Sequence, residues 1–253
     1  MSSTVIILCC IAFVAGFVDA IVGGGGLIQT PAGIILFPHE PISRVIGSLK
    51  IPSFTGTFFA ARQYLKKVKI PLPRLLLFTS IAFVAAFTGS YCLTIVTNAF
   101  MKPVIFIILV FIASYTYTNK NLGLEIQSTH FKFKWYKGAL ICLVIGFYDG
   151  FIGPGAGSLL VLAFISVLGF DFLQSNAHAK VVNLATNMGS ILLFVLKGSI
   201  MWSLALPMAI CNALGGFLGS KMAIAKGNKF IRSFFLIVMI ATLCRLGYDV
   251  FLH

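Results

Sequence analysis

Apolar residues dominate ten runs along the chain, and short polar segments separate these runs. An α-helix rises about 1.5 Å per residue, so roughly 20 apolar residues span the ~30 Å hydrocarbon core of a bilayer. Several runs reach that length, and the pattern therefore predicts a bundle of membrane-spanning helices. The runs cover residues 4–22, 27–37, 49–65, 75–97, 102–118, 138–152, 158–169, 180–196, 201–222 and 231–250.

Two of the runs, 27–37 and 158–169, are too short to cross a membrane. Each follows a glycine-rich break, at 23–26 in one case and at 153–157 in the other. Non-helical backbone inside a membrane is tolerated only where it is buried in protein or lines a wet cavity. We therefore expect each break to sit in a broken-helix hairpin.

The breaks belong to an internal repeat. The sequence GFVDAIVGGG at 16–25 matches GFYDGFIGPG at 146–155, and we call this ungapped alignment, which places Gly146 on Gly16, the repeat register. Further along, KIPSFTGT at 50–57 is aligned with NLATNMGS at 183–190 through a small gap, which pairs Lys50 with Asn183. The chain is expected to form one transporter-like domain, with repeat one at 4–118, a basic linker at 119–137 and repeat two at 138–250.

The distribution of basic residues predicts that corresponding loops of the two repeats lie on opposite sides of the membrane. Four bases lie in 66–74, whereas the equivalent turn near 197–200 has only Lys197. Conversely, four bases lie in 221–232, whereas its counterpart 98–101 has none. Because Lys and Arg gather in cytoplasmic loops, 66–74, 119–137 and 221–232 are expected to be cytoplasmic. The two halves would then be related as inverted-topology repeats.

An inverted relation between the two repeats restricts how many times the chain can cross the membrane in each repeat. The chain must cross the membrane an odd number of times between the linker and the turn near 197. The simplest solution is a re-entrant hairpin, 138–169, followed by one crossing at 176–196, with hairpin 4–37 and crossing 42–65 as the first-half equivalents. This predicts six full crossings and two re-entrant hairpins, with both termini outside. Ten full crossings satisfy the same parity.

Composition agrees with a membrane protein and excludes other classes. Hydrophobic residues make up 59% of the chain and charged residues 10%, whereas soluble domains are about a quarter charged. The charge of +13 is explained by the loop bases, so no nucleic-acid partner is expected. The six cysteines have no zinc-type spacing and no His/Cys/Asp/Glu cluster is present. The sequence therefore predicts neither a metal nor a cofactor.

The helices that follow the breaks are candidates for an anion site. Their first N–H groups have no partner within the helix and lie at the positive end of the helix dipole. Two such ends meeting near the middle of the membrane would bind a small anion. The alternative is that the glycines only permit close helix packing. The candidate ligand-binding residues of the breaks are Gly24, Gly25, Gly26, Gly155, Ala156, Gly157 and Ser158.

Polar side chains near the breaks complete the candidate site. Asp19 and Asp149 occupy matching positions, and a carboxylate inside a membrane usually has a role, either in proton coupling or in holding the broken backbone. Lys50, Asn183 and Asn187 are candidate donors to the anion, although Lys50 could instead extend to the membrane surface. His178 is a candidate proton relay or a surface residue.

These motifs resemble the sulfite exporter TauE/SafE family of membrane transporters. The resemblance is strongest over GFYDGFIGPGAGSLLVLAFISVLGFDF at 146–172, followed by QSNAHAKVVNLATNMGSILLFVLKGSI at 174–200. GFVDAIVGGGGLIQTPAGIILF at 16–37 is the first-half counterpart. The resemblance implies a multi-pass protein of the cytoplasmic membrane that exports sulfite or a related small sulfur-containing anion, such as an organosulfonate.

The sequence leaves several functional alternatives. Coupling, if any, would run through protons, and a passive anion channel is the alternative within transport. An intramembrane enzyme would need a nucleophile or metal cluster that the sequence does not show, and a transport-dead partner subunit is a third possibility. The expected partners are a small anion and the lipid bilayer, and the oligomeric state, a homodimer included, stays open.

Overall fold

A computed structural model describes residues 3–96 and 135–251 of the chain, and within these ranges it consists of eight α-helices and no strand. The predicted run 102–118 and most of the linker 119–137 lie outside the described residues. The helices are α1 (Ser3–Val22), α2 (Gly25–Leu36), α3 (Ile42–Leu65), α4 (Leu72–Ile95), α5 (Trp135–Phe151), α6 (Ala156–Leu168), α7 (Phe172–Leu196) and α8 (Trp202–Phe251).

Glycine and proline account for most helix boundaries. Positive φ angles at Gly23 (80°) and Gly153 (91°) turn the chain between α1 and α2 and between α5 and α6. Pro41 and Pro71 immediately precede α3 and α4, where a proline cannot continue a preceding helix. Gly227 has a φ of 72° and interrupts α8. These residues divide an otherwise continuous apolar sequence into separate helices.

Within residues 3–96 and 135–251, four helices are long and apolar enough to cross a membrane. They contain the segments Val5–Val22, Leu72–Ile95, Phe172–Leu196 and Trp202–Phe234. The last three coincide with predicted crossings. Val5–Val22 was assigned to a hairpin in the sequence analysis, and by length and composition it is itself a candidate span. The chain is therefore an all-helical, multi-pass protein.

The helix bounds follow the repeat register. α3 begins at Ile42 and α7 at Phe172, and α4 begins at Leu72 and α8 at Trp202. The packing is reciprocal as well: α1 packs on α8 as α5 packs on α4, and α3 packs on α8 as α7 packs on α4. α3 and α7 also contact each other. The two halves therefore share one interface that passes between α3 and α7.

Glycines allow the reciprocal helices to approach closely. A Cβ on Gly219 of α8 would collide with the backbone oxygen of Phe17 in α1, and a Cβ on Gly89 of α4 would collide with that of Phe147 in α5. Small residues that let backbones touch are the usual basis of helix association in membranes. The repeat register aligns Gly89 with Gly219 and Phe17 with Phe147, so the two contacts are equivalent.

Hydrophobic clusters identify the two ends of the bundle. Val68 and Ile70, from the turn between α3 and α4, pack in one cluster with Phe230 and Ile231 of α8. The Leu173 N–H donates to Asn228 Oδ1 (3.0 Å) in the same region. We call this the basic end, because Lys66, Lys67, Lys69, Arg74, Lys221, Lys226, Lys229 and Arg232 belong to these segments.

The turns at 37–41 and 197–201 form the opposite end. Leu8, Leu36 and Phe37 share a hydrophobic cluster with Met201 and Leu204, and the Met201 N–H donates to Ser48 Oγ (2.8 Å). The start of α1 and the finish of α2 therefore lie at the same end of the bundle. Segments 66–74 and 221–232, which the sequence analysis placed on one side of the membrane, lie together at the other end.

Candidate functional site

Two crossed ion pairs connect the halves near the glycine breaks. Lys50 Nζ of α3 lies 2.8 Å from Asp149 Oδ1 of α5, and Lys180 Nζ of α7 lies 2.7 Å from Asp19 Oδ2 of α1. The side chains of Lys50 and Asp149 are 6% and 5% exposed. Each half therefore supplies the lysine that neutralises the aspartate of the other half.

Both lysines also bind the carboxyl ends of the interrupted helices. Lys50 Nζ donates to the backbone oxygen of Asp149 (2.7 Å), and Lys180 Nζ donates to that of Asp19. The last carbonyls of a helix have no intrahelical partner, and the helix dipole is negative there. The ammonium of Lys50 supplies such a donor to Asp149, whereas the Asp19 oxygen also accepts from the Gly23 N–H (2.7 Å). Each lysine therefore contacts a carboxylate and a helix end together.

The other carboxylate oxygens are bonded within their own half. Thr186 Oγ1 donates to Asp149 Oδ2, and the Gly25 N–H donates to Asp19 Oδ1 (3.3 Å). Thr57 Oγ1 lies 3.5 Å from Asp19 Oδ2. The Gly25 contact is one expected of an aspartate that holds the broken backbone, whereas the Asp149 carboxylate contacts Lys50 and Thr186. A role in proton coupling stays a prediction.

The two glycine breaks pack directly against each other. A Cβ on Gly157 would lie 2.9 Å from Gly23 Cα, and a Cβ on Gly26 would lie 3.2 Å from Pro154 Cα. Ser158 Oγ donates to the backbone oxygen of Val22 (3.0 Å) across this contact. Close packing, the alternative considered for these glycines, is therefore part of their role. It brings the amino ends of α2 and α6 together.

A cavity of about 40 Å³ lies beside this junction. That volume holds roughly three water molecules, or a small ion of similar size. Polar groups from both halves surround it, together with Ile46, Leu49 and Ile152. The polar and glycine lining consists of Asp19, Gly23, Gly26, Thr30, Lys50, Ser53, Thr57, Asp149, Gly153, Gly155, Gly157, Asn183 and Asn187.

Several of the polar groups that remain for a ligand are hydrogen-bond donors. The two aspartates are neutralised by the two lysines, whereas Gly26 and Gly157 lie in the first turns of α2 and α6, where N–H groups have no intrahelical acceptor. Asn183 Oδ1 accepts from Asn187 Nδ2 (3.1 Å). That bond directs the amide oxygen of Asn183 to its neighbour and leaves its NH₂ group for the cavity. The arrangement favours a small anion.

The structure brings together most of the predicted site. Gly26, Gly155, Gly157, Lys50, Asn183 and Asn187 line the cavity, as do Asp19 and Asp149. Gly24, Gly25, Ala156 and Ser158 are not among the lining residues. Gly25 packs against α1 and Ser158 against the end of α1, because the helix turns these positions away from the cavity.

His178 lies outside the cavity. Its Nδ1 is 2.8 Å from the backbone oxygen of Gln174, and its ring packs 4.6 Å from the ring of Phe170. It also lines a small apolar pocket with Phe78 and Val182. The surface position considered for His178 is wrong, because the residue is buried among helices of the basic end.

The gapped alignment that paired Lys50 with Asn183 is wrong. The repeat register pairs Lys50 with Lys180 instead, and the two lysines make equivalent contacts with Asp149 and Asp19. Lys50 also does not extend to the membrane surface. The ungapped alignment of the break motif, continued along the chain, would have identified Lys180, and it pairs the lining residue Ser53 with Asn183.

The described residues contain no candidate metal site, since no group of three His, Cys, Asp or Glu side chains among them could hold an ion. The helical bundle, with its candidate membrane spans and buried polar cavity, is that of a multi-pass membrane protein. The chain belongs to the sulfite exporter TauE/SafE family, whose model matches residues 8–246. It is therefore a membrane transporter of the cell membrane.

Relatives of similar length support this membership. A probable membrane transporter protein of Haemophilus influenzae is 34% identical, over 96% of this chain and 94% of the relative. Another, from a Sinorhizobium species, is 34% identical over 94% of this chain and 90% of the relative. The probable membrane transporter protein YfcA of Escherichia coli K12 is 31% identical over 94% and 88%. No solved structure matches the chain.

Proposed function

We propose that the protein is a secondary transporter that exports sulfite or a related small sulfur-containing anion, such as an organosulfonate, and that it performs no catalytic chemistry. The cavity between the amino ends of α2 and α6 is the observation that carries this proposal. Its volume of about 40 Å³ suits an anion of a few heavy atoms. Family membership supports the sulfur-containing class.

The proposed architecture is a pair of inverted-topology repeats with re-entrant hairpins. α2 has 12 residues and α6 has 13, so at about 1.5 Å per residue neither spans the ~30 Å core. The start of α1 and the end of α2 lie at the same end of the bundle, which supports a hairpin that enters the membrane and returns. The inversion is supported by the ends at which equivalent helices begin, because α3 follows the turn 37–41 whereas Leu173 at the start of α7 contacts Asn228 at the basic end.

The basic end is proposed to face the cytoplasm. Its lysines and arginines come from turns next to membrane helices, where the positive-inside rule applies. The opposite end has Arg44 and Lys197, and Arg44 is paired with Glu40 (2.9 Å). The anion would then enter from the basic end and leave at the turns 37–41 and 197–201.

The anion is proposed to bind through neutral and positive donors. The N–H groups of Gly26 and Gly157 would contact its oxygens, together with the NH₂ group of Asn183. Lys50 has a third N–H beyond the two that it gives to Asp149. Hydroxyl groups of Ser53 and Thr57 complete a shell that suits an oxyanion.

Proton coupling is proposed to reside on the substrate. Asp19 and Asp149 are each held by a lysine of the other half, so both carboxylates are engaged in contacts that join the two halves. A protonatable anion can itself carry the proton, so no side chain needs to release one. This account retains pH-dependent transport without assigning it to the aspartates.

Reconstitution into liposomes tests the proposal. Sulfite, thiosulfate, organosulfonates and sulfate are offered one at a time, and flux is measured with and without an opposing gradient. We expect flux of sulfite or a sulfonate, with accumulation above the electrochemical value when a pH gradient is imposed. Equal permeability to all four anions without accumulation would support a passive channel and contradict the proposal.

A matched pair of variants tests the site. Asn183→Ala removes a hydrogen bond to a charged ligand, worth about 1.5–3 kcal/mol, so the apparent affinity for sulfite is expected to fall about 10- to 100-fold. Ser80→Ala is the control, because Ser80 is exposed and its Oγ donates to the backbone oxygen of Leu76 in the same helix. An unchanged affinity in Asn183→Ala would exclude this cavity as the site.

A further inference from the structure

The cavity is asymmetric, although the helices around it repeat. It extends along α3 through Ile46, Leu49 and Lys50. Their counterparts in the repeat register are Asn176, Ala179 and Lys180 of α7, and none of these three is among its lining residues.

Exposure shows the same difference between the two walls. Ile46, Leu49 and Lys50 keep 3%, 4% and 5% of their surface, whereas Asn176, Ala179 and Lys180 keep 0%, 1% and 1%. The α3 wall leads toward the turns 37–41 and 197–201, since Ile46 clusters with Ile200. The α7 wall leads toward the basic end, since α7 begins at Phe172 and the Leu173 N–H donates to Asn228 Oδ1 there. All six residues are buried, and the cavity extends from the breaks in one direction but not in the equivalent direction.

Asn176 of the α7 wall and its neighbour Ser175 contain buried polar atoms that have no hydrogen-bond partner among the described residues. Among the described residues, neither Asn176 Oδ1 nor Ser175 Oγ has a hydrogen-bond partner, and both side chains are fully buried. Most buried polar groups in proteins are hydrogen-bonded, and an orphan costs free energy. Their counterparts in the first half, Ile46 and Val45, are apolar. A polar wall is suited to contact with water or an anion rather than to permanent burial.

We propose that Asn176, Ala179 and Lys180 form the second wall of the transport pathway, which opens toward the basic end when the two halves exchange conformations. In the exchanged state Lys180 takes the place that Lys50 has here, with one N–H directed to the anion and the others to Asp19. The crossed ion pairs permit this exchange because they are equivalent, and they keep both aspartates neutralised in either state. The inference rests on the proposed inverted-repeat transporter.

The experiment compares Ile46→Cys with Asn176→Cys in a chain whose six native cysteines have been replaced. A membrane-impermeant thiol reagent is added to either side of oriented proteoliposomes. Lys67→Cys, in an exposed turn of the basic end, reports orientation, and Ala82→Cys, which is fully buried between helices, sets the background rate. Ala179→Cys is a second probe of the same wall, in case Asn176→Cys does not fold.

We expect Ile46→Cys to react from the side opposite Lys67→Cys, and the α7 probes to react from the same side as Lys67→Cys. A sulfite gradient that raises the labelling rate of Ile46→Cys at least several-fold should lower the labelling rate of the α7 probes, and the reverse gradient should do the opposite. Reaction of the α7 probes at the Ala82→Cys rate under every gradient would overturn the inference. Reaction of both walls from one side would do so too.

The same preparation separates this inference from the proposed substrate. Alternating reactivity in a protein that does not transport sulfite would reject the substrate and retain the second wall. Sulfite transport without reaction at 176 and 179 would reject the second wall and retain the function.

Discussion

Replacing Lys50 with methionine should destabilise the protein more than any comparable surface change. Methionine keeps an unbranched side chain only one atom shorter but removes the ammonium that pairs with Asp149 at 2.8 Å. The carboxylate is 5% exposed and would be left without a counter-ion, which costs about 3–5 kcal/mol for a buried pair. The backbone oxygen of Asp149 also loses its donor. A large fall in the free energy of unfolding is therefore expected.

The double variant Lys50→Met/Asp149→Asn should recover much of that loss. Both charges are then absent, and replacement of a whole buried pair by neutral groups is often nearly neutral. The unpaired backbone oxygen still costs about 1–3 kcal/mol. We therefore expect the double variant to be more stable than either single variant.

Two other ion pairs provide controls. Lys180→Met should cost less than Lys50→Met, because its partner Asp19 is 17% exposed and stays partly solvated. Arg44→Met should cost less than about 1 kcal/mol, since the Arg44 and Glu40 side chains are 47% and 32% exposed. Each free energy would be measured by reversible denaturant unfolding in mixed micelles. If the double variant loses the sum of the two single losses, the crossed pair contributes no coupling and the reasoning is refuted.

Three further outcomes are expected. Gly23→Ala should destabilise the protein strongly, because the φ of Gly23 is 80° and a Cβ would overlap the Gly157 backbone. The control Gly198→Ala, at a φ of 63° with no atom within 4 Å of the added Cβ, should lose only the conformational cost of about 1–2 kcal/mol. Equal melting temperatures of the two variants would contradict the packed break. Asp149→Asn should leave the pH profile of transport per folded molecule unchanged, and a flattened profile in liposome assays would make Asp149 the proton carrier. Single cysteines at Lys67 and Lys226 should both react with an impermeant reagent from the cytoplasm only, and reaction from opposite sides would exclude the proposed topology.

Much of the fold could be predicted from local sequence signals. Apolar length, the glycine breaks and the internal repeat are local or periodic features, and they predicted helices where α4 and α7 lie. Val5–Val22 shows the limit of such signals, because it is long enough to span a membrane, and length alone does not say whether a helix crosses or returns. That distinction depends on which end of the bundle the following helix reaches.

The site was predicted in part. Asn183 and Lys50 were recognised as polar residues within apolar runs, and both line the cavity. The ion pairs were missed, because Lys50 and Asp149 are 99 residues apart and Lys180 and Asp19 are 161 apart. The gapped alignment also hid the equivalence of the two lysines. Ser158 was misplaced because a helix turns each residue by about 100°, so adjacent positions face different neighbours.

The amino-acid sequence alone determined that this chain is an all-helical membrane protein with two interrupted helices and a pair of matching intramembrane aspartates, since hydrophobic length and backbone flexibility are properties of short segments. Only the tertiary structure decided which lysine neutralises which aspartate, which glycines face the cavity, and which residues of α3 and α7 line it. Those outcomes depend on the packing of helices from different halves, which bring together atoms that no local pattern relates.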